Sequence, residues 1–385
     1  MDDRTRRYLA GRFGDYYRRA AIDLPPDAGR REWGYIPFSP GPTRMVRHRS
    51  ILDLGDLRRF LEETAPQHVY FSAARYHEPG ADEMQDKGWQ GADLIFDIDA
   101  DHLPGIDPTA TSPNAMLEAA KGAVQNLLVF IDDAFAFGDI QVVFSGGRGY
   151  HVHVRDEAVQ SFDSTARREL VDYVRAVGID VEELTETRSN QGATQRVLRR
   201  RGGWGGALHA ELQAFAATLR ELDTTDAIAR LEAFDQIGSA RAERVYDQVM
   251  HNSAAIAAGN LEAGGPGMRI VAEHLLEGLQ ETRIAPVDEP VTTDVRRLIR
   301  LPGSLHGGTG LSVVPLERSE LAGFDPFTDA VVERFTGHAI TVDSTEEVSG
   351  RFMGDTFTLP PGEHSVDEAL GIFLMAQGAA EKLPE

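Results

Sequence analysis

Three aspartates, Asp97, Asp99 and Asp101, stand at alternate positions in LIFDIDADHL, behind a run of strand-forming apolar residues. In an extended chain, Leu94, Phe96 and Ile98 point to one face and Ile95, Asp97 and Asp99 to the other. Carboxylates about 7 Å apart on one strand face repel unless solvated or bridged, and a hard divalent cation such as Mg²⁺ or Mn²⁺ takes oxygen ligands at this kind of spacing. A solvent-facing strand edge shows the same D-x-D pattern, so other residues must decide between the two readings. Asp101 keeps the parity but precedes HLPG, past the expected strand end.

A second stretch, VVFSGGRGYHVHV, runs from a strand into Ser145, Gly146, Gly147, Arg148 and Gly149 and leaves as another alternating strand. A dinucleotide-binding loop would lead into a helix, so this is a different device. Its glycines allow a tight turn with exposed amides, Arg148 supplies a planar cation, and His151 shares a strand face with His153. That set suits a triphosphate; an ordinary hairpin with an arginine at its tip has the same composition. The third stretch, VDEPVTTDVRRLIRLPGSLHGGTGL, places Asp288 before a strand bearing Arg300 and a glycine-rich turn bearing His306. Asp288 can complete a three-carboxylate cluster or cap a helix, and Arg300 and His306 can add charge and hydrogen bonds to phosphate oxygens.

The elements that must position these residues alternate. Strands are predicted over 69–76, 93–99, 139–145 and 150–154, with an amphipathic helix over 115–135 and a helix beginning at Ser164 and ending at Gly178. This predicts an α/β core with a mixed sheet. Between 203 and 280 Ala, Leu, Glu and Arg recur at helical spacing, which predicts an inserted helical subdomain between core segments 1–202 and 281–385.

At 385 residues the chain exceeds the usual single core. No apolar run long enough to span a bilayer occurs, and the first residues lack the apolar centre of an export leader, so a cytoplasmic location without membrane contact is expected. The absence of cysteine removes disulfides and thiolate metal sites. The formal charge of −22 argues against nucleic acid on average. Yet nearly every base is arginine, lysine occurring only at Lys87, Lys121 and Lys382, and abundant acid with so little lysine resembles the proteins of salt-accumulating halophiles. Arginines cluster at Arg44, Arg47 and Arg49, at Arg196, Arg199, Arg200 and Arg201, and at Arg296, Arg297 and Arg300.

Together the segments REWGY, MVRH, YFSAARYHEPG, KGWQGADLIFDIDAD, SGGRGYHVHV and VTTDVRRLIRLPGSLHGGTGL resemble, in order and approximate spacing, the catalytic small subunit of archaeal and eukaryotic DNA primases, those of halophilic archaea in particular. The resemblance implies an α+β primase fold: a catalytic module joined to an RNA-recognition-like sheet, with a helical insertion. It implies that Asp97, Asp99 and Asp288 bind two divalent ions, Mg²⁺ or Mn²⁺, and that Ser145, Arg148, Gly149, His151, Arg300 and His306 form the nucleotide-binding set. It further implies a single-stranded DNA template, nucleoside triphosphates as substrates, and a heterodimer with the large primase subunit, which carries an iron–sulfur domain in this family. Two departures stand out. The span DHLPGIDPTATSPNAM offers His102 but none of the cysteines of the family's zinc knuckle, so no structural zinc is expected, and Gly308 stands where many relatives carry a lysine. A repair-type primase-polymerase would carry the same aspartates; a non-catalytic subunit presenting nucleic acid would have no reason to keep them.

Overall fold

The strand predicted over 93–99 forms at Leu94–Asp99, and its surroundings explain why it holds there. The computed structural model describes residues 1–190 and 193–384. In chain order the two principal sheets and the elements that connect them include β1 (Trp33–Ile36), β2 (Val46–Arg49), β3 (His68–Ser72), β4 (Leu94–Asp99), α1 (Pro113–Ala134), β5 (Ile140–Phe144), β6 (Gly149–Val154), α2 (Glu289–Thr293), β7 (Leu298–Arg300) and β8 (Val314–Leu316). One sheet has the order β8-β5-β6-β4 and another β7-β3-β1-β2. All their pairings are antiparallel, where a mixed sheet was expected. The crossover through α1 does return β5 in the direction of β4, but one strand away, and the hairpin return β6 fills the gap between them as in a split β-α-β unit. The protein is thus α+β.

Leu94, Phe96 and Ile98 are fully buried on one face of β4. The other face turns toward the second sheet, since Ile95 packs with Ala73 and with Ile299 of β7. Two buried arginines staple the entry of β4. Arg31 donates to Asp93 Oδ2 at 2.7 Å and to the carbonyls of Ser72 and Ala73, and Arg167 donates to the carbonyls of Asp93 and Ala92. A buried charge is tolerable only with such partners, so Asp93 and the arginines lock the strand register beside β3.

The residues group into two compact units: Met1–Val124 with Gly138–Arg168 and Pro286–Glu385, and Gln125–Phe137 with Glu169–Ala285. The first contains both sheets just described. The second contains the helices Gly203–Glu221, Thr224–Glu232, Ser239–His251 and Pro266–Arg283, and a hairpin of Thr185–Asn190 with Ala193–Leu198. It extends beyond the helical span read from composition at 203–280. Aromatic packing of Phe130, Phe135 and Tyr173, with Trp204 against Phe130, binds the flanking segments to those helices. Among the described residues no helix is long and apolar enough to cross a membrane.

Candidate active site

Asp97 is cross-strand from His151 and Asp99 from Gly149, because β4 pairs with β6 in that register. Asp97 Oδ1 lies 3.5 Å from His151 Nε2. The glycine turn between β5 and β6 closes tightly on this edge. A Cβ at Gly149 would stand 2.1 Å from the Ile98 carbonyl oxygen and 2.7 Å from Asp99 Oδ1, so only glycine lets the turn meet the aspartate strand. Gly146 has φ +76°, and a Cβ there would collide with His306.

Asp288 arrives from far along the sequence. Its N–H donates to the Asp97 carbonyl at 2.9 Å, which seats it beside β4. The helix-cap role read from sequence is present, since Asp288 is the N-cap of α2 and its Oδ1 accepts from the Val291 N–H. Its Oδ2 is 3.9 Å from His102 Nδ1.

A cleft of about 820 Å³ opens between the sheets. It is lined by Asp97, Asp99, Ser145, Arg148, His151, Arg300 and His306, whereas Asp288 and Gly149 are not among its lining residues. Arg300 donates to the Ser145 carbonyl at 3.4 Å and sits over the Tyr70 ring. Arg148 is paired with Asp101 at 2.8 Å. Asp101 follows the strand in a short 3₁₀ turn, Ala100–His102. Of the arginine clusters noted in the sequence, Arg47 of β2 also reaches the lining; sequence reasoning missed Tyr70 of β3, Asp294 at the end of α2, and Gln377 of the C-terminal helix. It also missed His68, whose ring stands edge-on to His306 at 4.9 Å. The alternation of His68 with Tyr70 along a strand was the available signal; nothing local marked Gln377.

Burial and neighbouring charge set the protonation of the site. Burial first, then the charge of Asp288, raises Asp97 to about 6 against the pull of Arg297 and Arg300. Asp99 is raised by burial and then by Asp97. Burial followed by the Arg300 charge lowers His151 to about 4 and His68 to about 3, and the same two causes lower His306. These imidazoles are neutral near pH 7. His306 therefore offers phosphate a hydrogen bond, and standing positive charge falls to the arginines.

The residues fit a divalent ion. Asp97 Oδ1 is buried with no hydrogen-bond partner, an arrangement that costs free energy unless a cation or solvent completes it. Asp99, Asp101 and His102 offer three ligand atoms within 4.8 Å of one another. Carboxylates, arginines and neutral imidazoles on one cleft define a protein suited to polyphosphate chemistry.

A family model described as DNA primase small subunit matches residues 96–318. The proteins named DNA primase small subunit PriS from Halorubrum lacusprofundi, Haloarcula marismortui and Methanothrix thermoacetophila are 55%, 47% and 40% identical to this chain. The first alignment covers 100% of both chains, the second 99% of both, and the third 99% of this chain and 100% of the relative. The chain belongs to the DNA primase small subunit family.

Proposed function

We propose that this chain is the primer-synthesising subunit of a DNA primase, joining nucleoside triphosphates on a single-stranded DNA template by nucleotidyl transfer. The observation that carries the reading is full-length similarity to proteins named as primase small subunits, in a chain whose Asp97 and Asp99 line one arginine-bearing cleft. Asp97, Asp99 and Asp288 would hold two Mg²⁺ or Mn²⁺ ions. Ions held there would supply neutralisation of developing phosphate charge and activation of an attacking hydroxyl. Arg300 provides a fixed guanidinium for phosphate oxygens, steadied by the Ser145 carbonyl and the Tyr70 ring. Ser145, the Gly149 turn and the neutral His151 and His306 provide shorter-range hydrogen bonds. Arg148 reaches the cleft from its pair with Asp101.

Starting a chain requires two free nucleotides to be ordered with no primer to stack on, an entropic cost that a second, nucleotide-holding subunit relieves. A heterodimer with the large primase subunit meets that need. The test is template-dependent primer synthesis with and without the large subunit, with ribonucleotides and deoxyribonucleotides in parallel. Primers made de novo by the pair support the proposal. Extension of supplied ends alone, by the isolated chain, supports a repair-type polymerase instead, and no incorporation under any condition supports a non-catalytic subunit.

A further inference from the structure

We propose that His102 is a metal ligand, and that with Asp99 and Asp101 it makes one ion position of the candidate site selective for Mn²⁺ over Mg²⁺. This rests on the primase reading for the existence of the metal site, and adds a nitrogen ligand that the aspartate pattern does not contain.

The turn after β4 is short, and it folds back. Ala100–His102 is a single 3₁₀ turn, and the Ala100 N–H donates to the Arg148 carbonyl, so the residues after Asp99 stay beside the glycine hairpin. Asp99, Asp101 and His102 each contribute one ligand atom to a group no wider than 4.8 Å. In an octahedral ion with bonds of about 2.1 Å, opposite ligands are about 4.2 Å apart and adjacent ones about 3.0 Å, so the group must contract to close on a cation. The two oxygens of Asp101 divide their work: Oδ2 holds Arg148 at 2.8 Å, while Oδ1 is buried without a hydrogen-bond partner. An independent observation points the same way. Asp97 is only 7% exposed, lies on the same strand face as Asp99, and its Oδ1 also lacks a hydrogen-bond partner. On the other side, His102 Nδ1 is 3.9 Å from Asp288 Oδ2, so the imidazole stands between the turn and the third aspartate.

Chemistry then separates the metals. Mg²⁺ holds oxygen ligands and water in a rigid shell and gains little from imidazole, whereas first-row transition ions accept nitrogen. An imidazole beside hard carboxylates therefore favours Mn²⁺ without excluding Mg²⁺ from the remaining oxygens. The His102 side chain is 60% exposed, so replacing it removes a ligand without opening the core.

The test uses the full chain in concentrated KCl. Mn²⁺ binding is followed by electron paramagnetic resonance, with pulsed measurement of ¹⁴N coupling, and Mg²⁺ binding by competition, for the wild type, His102→Ala, His102→Asn and Asp97→Asn. The expected result is imidazole coupling in the wild type that disappears in both His102 variants, Mn²⁺ affinity about 10-fold weaker in them, and Mg²⁺ affinity changed by less than about 2-fold. Mn²⁺ bound without ¹⁴N coupling, coupling that survives in His102→Ala, equal loss for both metals, or stoichiometric zinc held through His102 overturns the proposal. In those cases, primer synthesis still lost in Asp97→Asn leaves the primase reading standing. If instead the wild type binds neither metal and makes no primer, the functional reading itself fails.

Discussion

At the scale of residues, the site works through desolvated charge. Asp97 titrates at about 6 in the folded chain against an ordinary 3.8, because burial and Asp288 both oppose its ionisation. Between those two values the folded chain binds more protons than the unfolded one. In the metal-free protein, this group's contribution to stability is therefore present below the lower value and lost as pH rises through the upper. Divalent ions compete with the same proton. Melting temperatures with and without Mg²⁺ should show a larger metal-induced rise at pH 7.5 than at pH 5, and Asp97→Asn should remove most of the difference. The same variant should lower primer synthesis by at least about 100-fold. Arg300 is the cation that most lowers His68 and His151 after burial itself. Arg300→Ala should raise the KM for nucleotide by roughly 10- to 100-fold, the worth of a charge-assisted hydrogen bond of about 1.5–3 kcal/mol. It should also shift the titration of both imidazoles upward in NMR spectra. Unmoved imidazoles would mean that burial alone sets their protonation.

Secondary-structure elements bring these residues within reach of one another. The glycine turn meets β4 through Gly149, where a Cβ would stand 2.1 Å from a backbone oxygen that cannot move without breaking the β4–β6 pairing. Gly149→Ala should cost about 3 kcal/mol or more, read as a lower denaturation midpoint at unchanged slope. Gly122, inside α1 with nothing within 4 Å of its added Cβ, is the contrast: Gly122→Ala should stabilise by about 0.5–1 kcal/mol. The parity of Asp97 and Asp99 was legible in the sequence because the two-residue period of a strand is a local property. The insertion of β6 between β4 and β5 was not, because strand order depends on which edge the returning chain finds free. The same limit hid Tyr70 and Gln377, which reach the cleft only through the second sheet and the last helix, and His68, which packs against His306.

The whole molecule combines 61 acids with 39 bases, of which only three are lysine. All three are buried: Lys87 is paired with Glu32 and donates to the Pro79 carbonyl, Lys121 donates to the Phe324 carbonyl, and Lys382 donates to that of Leu383. The surface bases are therefore all arginine, and the acidic excess faces solvent. Screening of its self-repulsion should be needed for folding, so primer synthesis should rise from low salt toward molar potassium before phosphate contacts weaken. The lysines supply the measurement. Amine-reactive labelling should modify only the N-terminus in concentrated KCl and reach Lys87, Lys121 and Lys382 as salt is withdrawn. A chain whose lysines stay protected in dilute buffer, and whose activity falls steadily with added potassium, would sink the halophilic reading of the composition. What the sequence by itself determined is what local chemistry and composition carry: the paired aspartates and their face, the turn that needs glycine, the helical character of 203–280, and the acidic, lysine-poor surface. Tertiary structure alone decided that Asp288 docks on Asp97, that His102 folds back toward it, that Arg300 lowers three histidines, and that the sheet is antiparallel. Those outcomes depend on packing and desolvation between segments that meet only in the folded chain, and no local period encodes them.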